Sequence, residues 1–188
     1  MTELNQTAYD AMRESPKDEG TLRMIVRRPA VDAREVLETG QLDIAEGLVG
    51  DTWNQRHSPR TPDGSPHPDT QINIMNARVI ALLAGSQDRW SLAGDQLFID
   101  LDLSLENLPA GTQLEIGEAL LVVTDQPHTG CKKFSERFGP DALKLVNTPE
   151  GRQLNLRGIN ARVVRSGRIQ IGETVRKICH QASAATSD

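Results

Sequence analysis

A closed or nearly closed β-barrel decorated with short helices is the fold this sequence predicts. Two observations carry the prediction. Short stretches of alternating polar and apolar residues recur along the 188-residue chain, joined by glycine turns. Only a few short runs between them have helical spacing. The fold class is therefore mainly β with short helices. No internal repeat and no linker separates two cores. Aromatic residues make up 3% of the chain, so its core rests on Leu, Ile, Val and Ala.

Residues 1–20 are polar and lack apolar periodicity. They read as a flexible N-terminal arm with one short helix at most. Residues 21–180 read as one barrel domain and residues 181–188 as a frayed tail. The stretch 21–29 predicts a strand stopped by Pro29, residues 32–37 a helical turn, and residues 47–53 a turn. Residues 54–70 hold Pro59, Pro62, Pro66 and Pro68 with two histidines, which predicts an exposed loop able to act as a lid. Alternation over 71–75 predicts a strand, after which Asn76 caps a helix over 77–84 that Gly85 ends. Residues 97–103 alternate again, and residues 107–111 form a turn. Strands over 112–116 and 119–124 make a hairpin about Gly117-Glu118. Residues 131–138 have helical spacing, with Phe134 and Phe138 one turn apart. Gly139-Pro140 breaks that helix, and 141–146 restarts one. Residues 159–164 and 168–171 predict a second hairpin about Ser166-Gly167, and residues 174–178 close the sheet.

Composition excludes several function classes. The net charge of −5 argues against a nucleic-acid binder. No apolar run approaches membrane-spanning length, and no signal peptide is evident at the start, so a soluble cytoplasmic protein is expected. Cys131 and Cys179 are too few for a secreted disulfide scaffold and read as two reduced thiols. Charge is uneven. From His128 to Ile178, eleven Lys and Arg face four Asp and Glu. That excess has two readings: a solvated face whose acidic partners lie elsewhere in the fold, or an anionic ligand near Cys131.

Cys131 is the centre of any chemistry. It follows a strand, a proline and a glycine, and it opens a helix, where a thiol feels the positive end of the dipole. Lys132 and Lys133 add positive charge, and His128, three residues earlier, has the chemistry of a base. The competing reading is an inert buried cysteine in a tight turn. Local spacing leaves the two level. Cys179, beside His180, reads as incidental. The remaining histidines make no zinc-ligand pattern, and no Walker A, Gly-x-Ser-x-Gly or Gly-x-Gly-x-x-Gly motif is present. No lysine lies in a setting that suggests a pyridoxal phosphate Schiff base. Arg157 beside Gly158 reads equally as a phosphate clamp or a strand-edge arginine. Asp51 and Asp95, each after a glycine, read as turn residues.

The run PHTGCKKFSERFGPDAL (127–143), followed by LRGINARVVRSGRIQIGETV (156–175), resembles the MOSC domain family, the molybdenum cofactor sulfurase C-terminal domains. Gly94-Asp95-Gln96-Leu97 is similar to that family's Gly-Glu-Asn-Leu segment. The likeness covers about residues 23–178. It implies a MOSC-like barrel with one defining cysteine, matched by Cys131, and an association with molybdenum cofactor and with sulfur carried as a cysteine persulfide. Under that resemblance Cys131 is the persulfide carrier or a molybdenum ligand, and His128 and Lys132 tune the thiol. Lys133, Arg137, Arg157 and Arg162 are then candidate contacts to the cofactor's anionic groups.

The chain departs from the family in two places. The stretch 50–70 reads differently from the His-Gly-Gly segment of many stand-alone relatives, and Pro127-His128-Thr129-Gly130 replaces a Pro-Cys approach. The pyridoxal phosphate desulfurase domain of the fused relatives is also absent, so the resemblance implies a separate cysteine desulfurase as sulfur donor and a molybdoenzyme or redox protein as partner. Two other functions stay open: a molybdenum-dependent reductase of N-hydroxylated compounds, and a non-catalytic protein-interaction module on the same barrel.

Overall fold

Seven strands hydrogen-bond edge to edge into a closed ring in the computed structural model, which describes residues 3–178. In chain order the elements are α1 (Glu3–Arg13), β1 (Glu19–Arg27), β2 (Glu35–Leu37), β3 (Thr39–Asp43), β4 (Gly47–Leu48), β5 (Ile72–Asn76), α2 (Ala77–Ala84), β6 (Leu97–Asp100), β7 (Gln113–Ile116), β8 (Ala119–Val123), α3 (Lys132–Phe138), α4 (Pro140–Asn147), α5 (Pro149–Gln153), β9 (Ile159–Arg165), β10 (Gly167–Gln170) and β11 (Thr174–Ile178). The ring runs β1-β6-β5-β9-β8-β7-β11 and back to β1. Every neighbour pair is antiparallel except β5–β6, which is parallel and joined through α2, because parallel strands need a crossover. Strands β10, β3 and β4 form a second, small sheet.

The ring follows from side-chain alternation. Ala119, Leu121 and Val123 of β8 are buried, whereas Leu120 and Val122 are half-buried. Leu22, Ile74, Leu97, Ile99, Leu114, Ala161 and Val175 from the other strands are wholly buried and fill the interior. Each large one contributes roughly 1.5–3 kcal/mol. At the seam, β1 pairs with β11 over Glu19–Thr21 and with β6 along its other edge. A β-carbon on Gly20 would lie 2.0 Å from the Asp100 carbonyl oxygen, so only glycine fits there.

Asn76 joins β5 to α2 as expected. Its Oδ1 accepts from the backbone N–H groups of Arg78 and Val79 at 2.9 and 3.0 Å. Its Nδ2 donates to the Leu101 carbonyl at 2.8 Å and to Ser15 Oγ at 3.0 Å. Gly85 ends the helix at φ 78°.

Four expectations need correction. The arm over 1–20 contains α1, whose Ala8, Tyr9 and Met12 are buried, and β1 begins at Glu19. The helical turn over 32–37 gives way to strand β2, because Leu37, Val36 and Glu35 pair with Ile25, Val26 and Arg27. The strand expected over 97–103 stops at Asp100, because the Asp102 N–H bonds to the Pro16 carbonyl and its carboxylate takes the Ser104 N–H. The second hairpin does not form. β9 pairs with β5 and β8, while β10 crosses to β3. Cys179, His180 and the 181–188 tail lie outside the described residues. Among the described residues, no helix is long and apolar enough to cross a membrane.

Replacing Asn76 with alanine removes a cap and leaves buried groups unpaired. Asn76→Ala should cost roughly 2–4 kcal/mol. Urea unfolding measures it, and an unchanged midpoint would refute the assigned role.

Candidate functional site

Two arginine–aspartate pairs are buried at one end of the barrel. Arg28 follows β1 and meets Asp51 from the turn after β4. Its Nε and Nη2 donate to the two carboxylate oxygens at 2.7 and 2.8 Å, and both residues are buried. Asp51 also accepts the Trp53 N–H at 2.8 Å, which is the turn bond its sequence predicts. Arg28 Nη1 bonds to Asn73 Oδ1 and to the Gly94 carbonyl. Asn73 Nδ2 donates to Asn160 Oδ1 at 2.6 Å, which ties β5 to β9.

The second pair centres on Asp95, which is fully buried just ahead of β6. Arg157 Nη1 donates to both its oxygens at 2.7 and 3.0 Å, and Arg157 Nη2 donates to the Ala93 carbonyl at 3.0 Å. The guanidinium lies 4.8 Å from the centre of the Phe134 ring on α3. His128 Nε2 sits 2.6 Å from Asp95 Oδ1. Burial pushes the Asp95 carboxyl up, but the Arg157 charge, with the hydrogen bonds from His128 and Arg157, outweighs that, and it stays below the ordinary aspartate range. Asp95 is thus ionised, and the neutral His128 donates through Nε2, which leaves Nδ1 as a lone-pair acceptor. Burial, aided by Arg157, lowers the His128 pKa, and Asp95 offsets this only in part. The ring packs on Gly158, where a β-carbon would stand 3.1 Å from His128 Cδ2 and 2.2 Å from the Ile74 carbonyl oxygen.

Two cavities flank the segment 127–129, and His128 lines both. One, of about 560 Å³, lies between the β8–α3 connection and α4–α5. Its walls combine Leu105, Leu108, Val146 and Ile159 with Asn147, Arg152 and Asn155. The other, of about 310 Å³, lies under the proline-rich loop. Cys131 lines neither, and Gly130 before it packs behind a wall of the larger one. A β-carbon on Gly130 would meet Val146 Cγ2 at 3.2 Å and Asn147 Nδ2 at 3.5 Å, and both residues wall that cavity.

Cys131 is exposed, which removes the reading of an inert buried thiol. It caps α3 in extended backbone without using its side chain as the cap acceptor. The structure separates the other residues singled out by sequence. Lys132 is 91% exposed and reaches only Glu136, at 3.7 Å. Lys133 and Arg137 both contact Asp32. Arg162 pairs with Asp69 at 3.1 Å, and Arg157 is committed to Asp95. Apart from Lys132, their acidic partners are therefore elsewhere in the fold. Asp95 is an ion-pair residue rather than a turn residue. Sequence reading missed Arg28, and also Arg56 and Arg152, whose guanidinium groups have no hydrogen-bond or ion-pair partner among the described residues. No cluster of three or more His, Cys, Asp or Glu fit to hold a metal occurs among those residues.

The MOSC domain family matches residues 66–176. Among solved structures, the YuaD protein from Bacillus subtilis is 18% identical, with 84% of this chain and 94% of YuaD covered and a TM-score of 0.59. YiiM from Escherichia coli is also 18% identical, with coverages of 85% and 70% and a TM-score of 0.55. YiiM from Geobacillus stearothermophilus is 14% identical, with coverages of 88% and 76% and a TM-score of 0.53. At these identities the likeness is one of fold. No curated protein matches the chain.

Two outcomes follow from the Asp95 cluster. Asp95→Asn leaves Arg157 charged and buried without a counter-ion, and should cost roughly 3–5 kcal/mol in denaturant unfolding. His128 has a folded-state pKa below its ordinary 6.5, so the unfolded chain takes up its proton first on acidification. Stability is full above that value and falls as pH drops toward the folded value. The unfolding midpoint should therefore decline from pH 7 to pH 5.5, and His128→Gln, which keeps a donor to Asp95, should flatten the decline. An equal slope in both proteins would rule His128 out as its source.

Proposed function

Because the chain belongs to the MOSC domain family, which is associated with molybdenum cofactor, we propose that it binds that cofactor and carries sulfur as a persulfide on Cys131. The observation that supports this reading most is the exposed Cys131 thiol, two residues after Thr129, which lines the larger cavity.

The residues present fit the group. The cavity of about 560 Å³ is in the size range of cofactor sites, and it combines apolar walls with amide donors and acceptors. Cys131 would supply a soft sulfur ligand suited to molybdenum. Arg152, free of any carboxylate, would answer the phosphate, and Asn147, Asn155 and Gln126 would hydrogen-bond the pterin edges. When bound, the cofactor supplies a redox-active metal held by dithiolene sulfurs. His128, oriented by Asp95, would hold or return a proton at Nδ1 at the wall of the same cavity.

Sulfur loading needs no external oxidant. The Cys131 thiolate attacks the terminal sulfur of a donor persulfide. The new S–S bond forms as the donor's S–S bond breaks, and the donor leaves as a thiolate. A separate cysteine desulfurase would be that donor.

The test is expression in a host that makes the cofactor. Native protein should contain molybdenum and pterin, and its Cys131 peptide should carry one added sulfur atom by mass spectrometry. Cys131→Ala should lower bound molybdenum at least about ten-fold. An unmodified peptide together with undiminished metal in the variant would refute the proposal.

A further inference from the structure

The smaller cavity has a chemistry of its own. Arg56, His57, Arg60 and His67 from the proline-rich loop converge on it, and His128 closes the wall shared with the larger cavity. No aspartate or glutamate lines it, although the protein as a whole carries a net charge of −5. The Arg56 guanidinium has no hydrogen-bond or ion-pair partner among the described residues, and burial together with the nearby Arg28 charge, offset only in part by the Asp51 carboxylate, lowers its pKa to about 10. Arg60 makes one neutral hydrogen bond, to Gln126 Oε1 at 3.2 Å. This contrasts with Lys133, Arg137, Arg157 and Arg162, each of which touches a carboxylate. Trp53, 8% exposed, lines the same cavity and has a buried indole N–H without a partner.

Like charges gathered on one wall repel each other, and without a counter-ion they lower stability. An oxyanion in the cavity would offset that repulsion and accept from the two guanidinium forks. The loop holds the arrangement in place. His67 Nδ1 accepts the Asp69 N–H, Asp69 pairs with Arg162, and Thr124 Oγ1 donates to the Asp69 carbonyl at 2.7 Å, so the loop base is fixed to β9 and to the end of β8.

We propose that the cavity under the 54–70 loop is a binding subsite for the oxyanion group of a small molecule, of phosphate or carboxylate type, distinct from the cofactor cavity and separated from it by the 127–129 segment. Arg56 and Arg60 are its anion contacts. His128, common to both walls, then faces the bound anion's neighbouring groups with its Nδ1 acceptor. The subsite would thus select acidic substrates for chemistry on the other side of the same histidine. Only this last role rests on the cofactor reading; anion binding does not.

The test is calorimetric titration of the full chain with inorganic phosphate, and in a second arm with acetate, at low ionic strength. Saturable one-site binding is expected, weakened at least about ten-fold in Arg56→Gln/Arg60→Gln and less in Arg56→Lys. The relative strength of the two arms distinguishes a phosphate from a carboxylate ligand. Circular dichroism on each variant verifies that it is folded. The absence of saturable binding of either anion, or equal binding by the double variant, overturns the proposal. Bound pterin is assayed on the same preparations. If the double variant loses pterin along with phosphate, the loop cavity belongs to the cofactor site and the distinct subsite is refuted. If the wild type holds no pterin and yet binds phosphate at Arg56 and Arg60, the cofactor reading falls and the anion subsite stands.

Discussion

The bond from Arg157 to Asp95 is the constraint around which this end of the barrel is arranged. Taking both charges out of water costs several kcal/mol per ion, so the pair is tolerable only when nearly every donor and acceptor is used. Asp95 accepts from Arg157 and His128, and Arg157 spends its second amino group on the Ala93 carbonyl. The pair joins the loop before β6 to the segment before β9, two strands that never touch each other but both pair with β5. It also sets the position of α3. Phe134 sits under the Arg157 guanidinium and stacks at a tilt on Phe138, 5.0 Å between ring centres. The helix that starts after Cys131 is thereby fixed to the buried ion pair, and the thiol's location depends on a carboxylate 36 residues away in sequence.

The two halves of the charge distribution have different physical roles. Exposed pairs such as Lys133–Asp32 and Arg162–Asp69 each contribute little to stability. Their effect is to occupy cations that would otherwise attract anions. Arg56, Arg60 and Arg152, which line the cavities, touch no carboxylate, so binding capacity there depends on which arginines lack a carboxylate and not on how many there are.

Local pattern made much of the fold legible. Asn76 and Gly85 bracket α2 through rules that act over four residues, and Gly117-Glu118 joins β7 to β8 because a two-residue turn fixes its own register. What was illegible is non-local. Ser166-Gly167 looks like a hairpin turn, yet Gly167 packs so closely on the Glu118–Ala119 backbone that the chain leaves β9 and enters another sheet. Helix α1 is polar by composition, and distant partners make it a packed element: the surface of α2, the Thr148 hydroxyl met by Tyr9 and the Leu103 N–H met by Met12. In the site, Cys131 stood out through its neighbours, whereas Arg28–Asp51 and Arg157–Asp95 join residues 23 and 62 positions apart. No spacing rule links such residues, and only the barrel brings them together.

The seam between β1 and β11 has a temporal meaning. Glu19 pairs with Arg176, so the ring has no complete edge until nearly all of the described chain has been synthesised. Until then β1 and β7 present unpaired backbone, and the interior they cover stays open to other chains. Closure across so long a loop is slow by topology. During synthesis, the nascent barrel therefore keeps an open edge until its last strand has emerged.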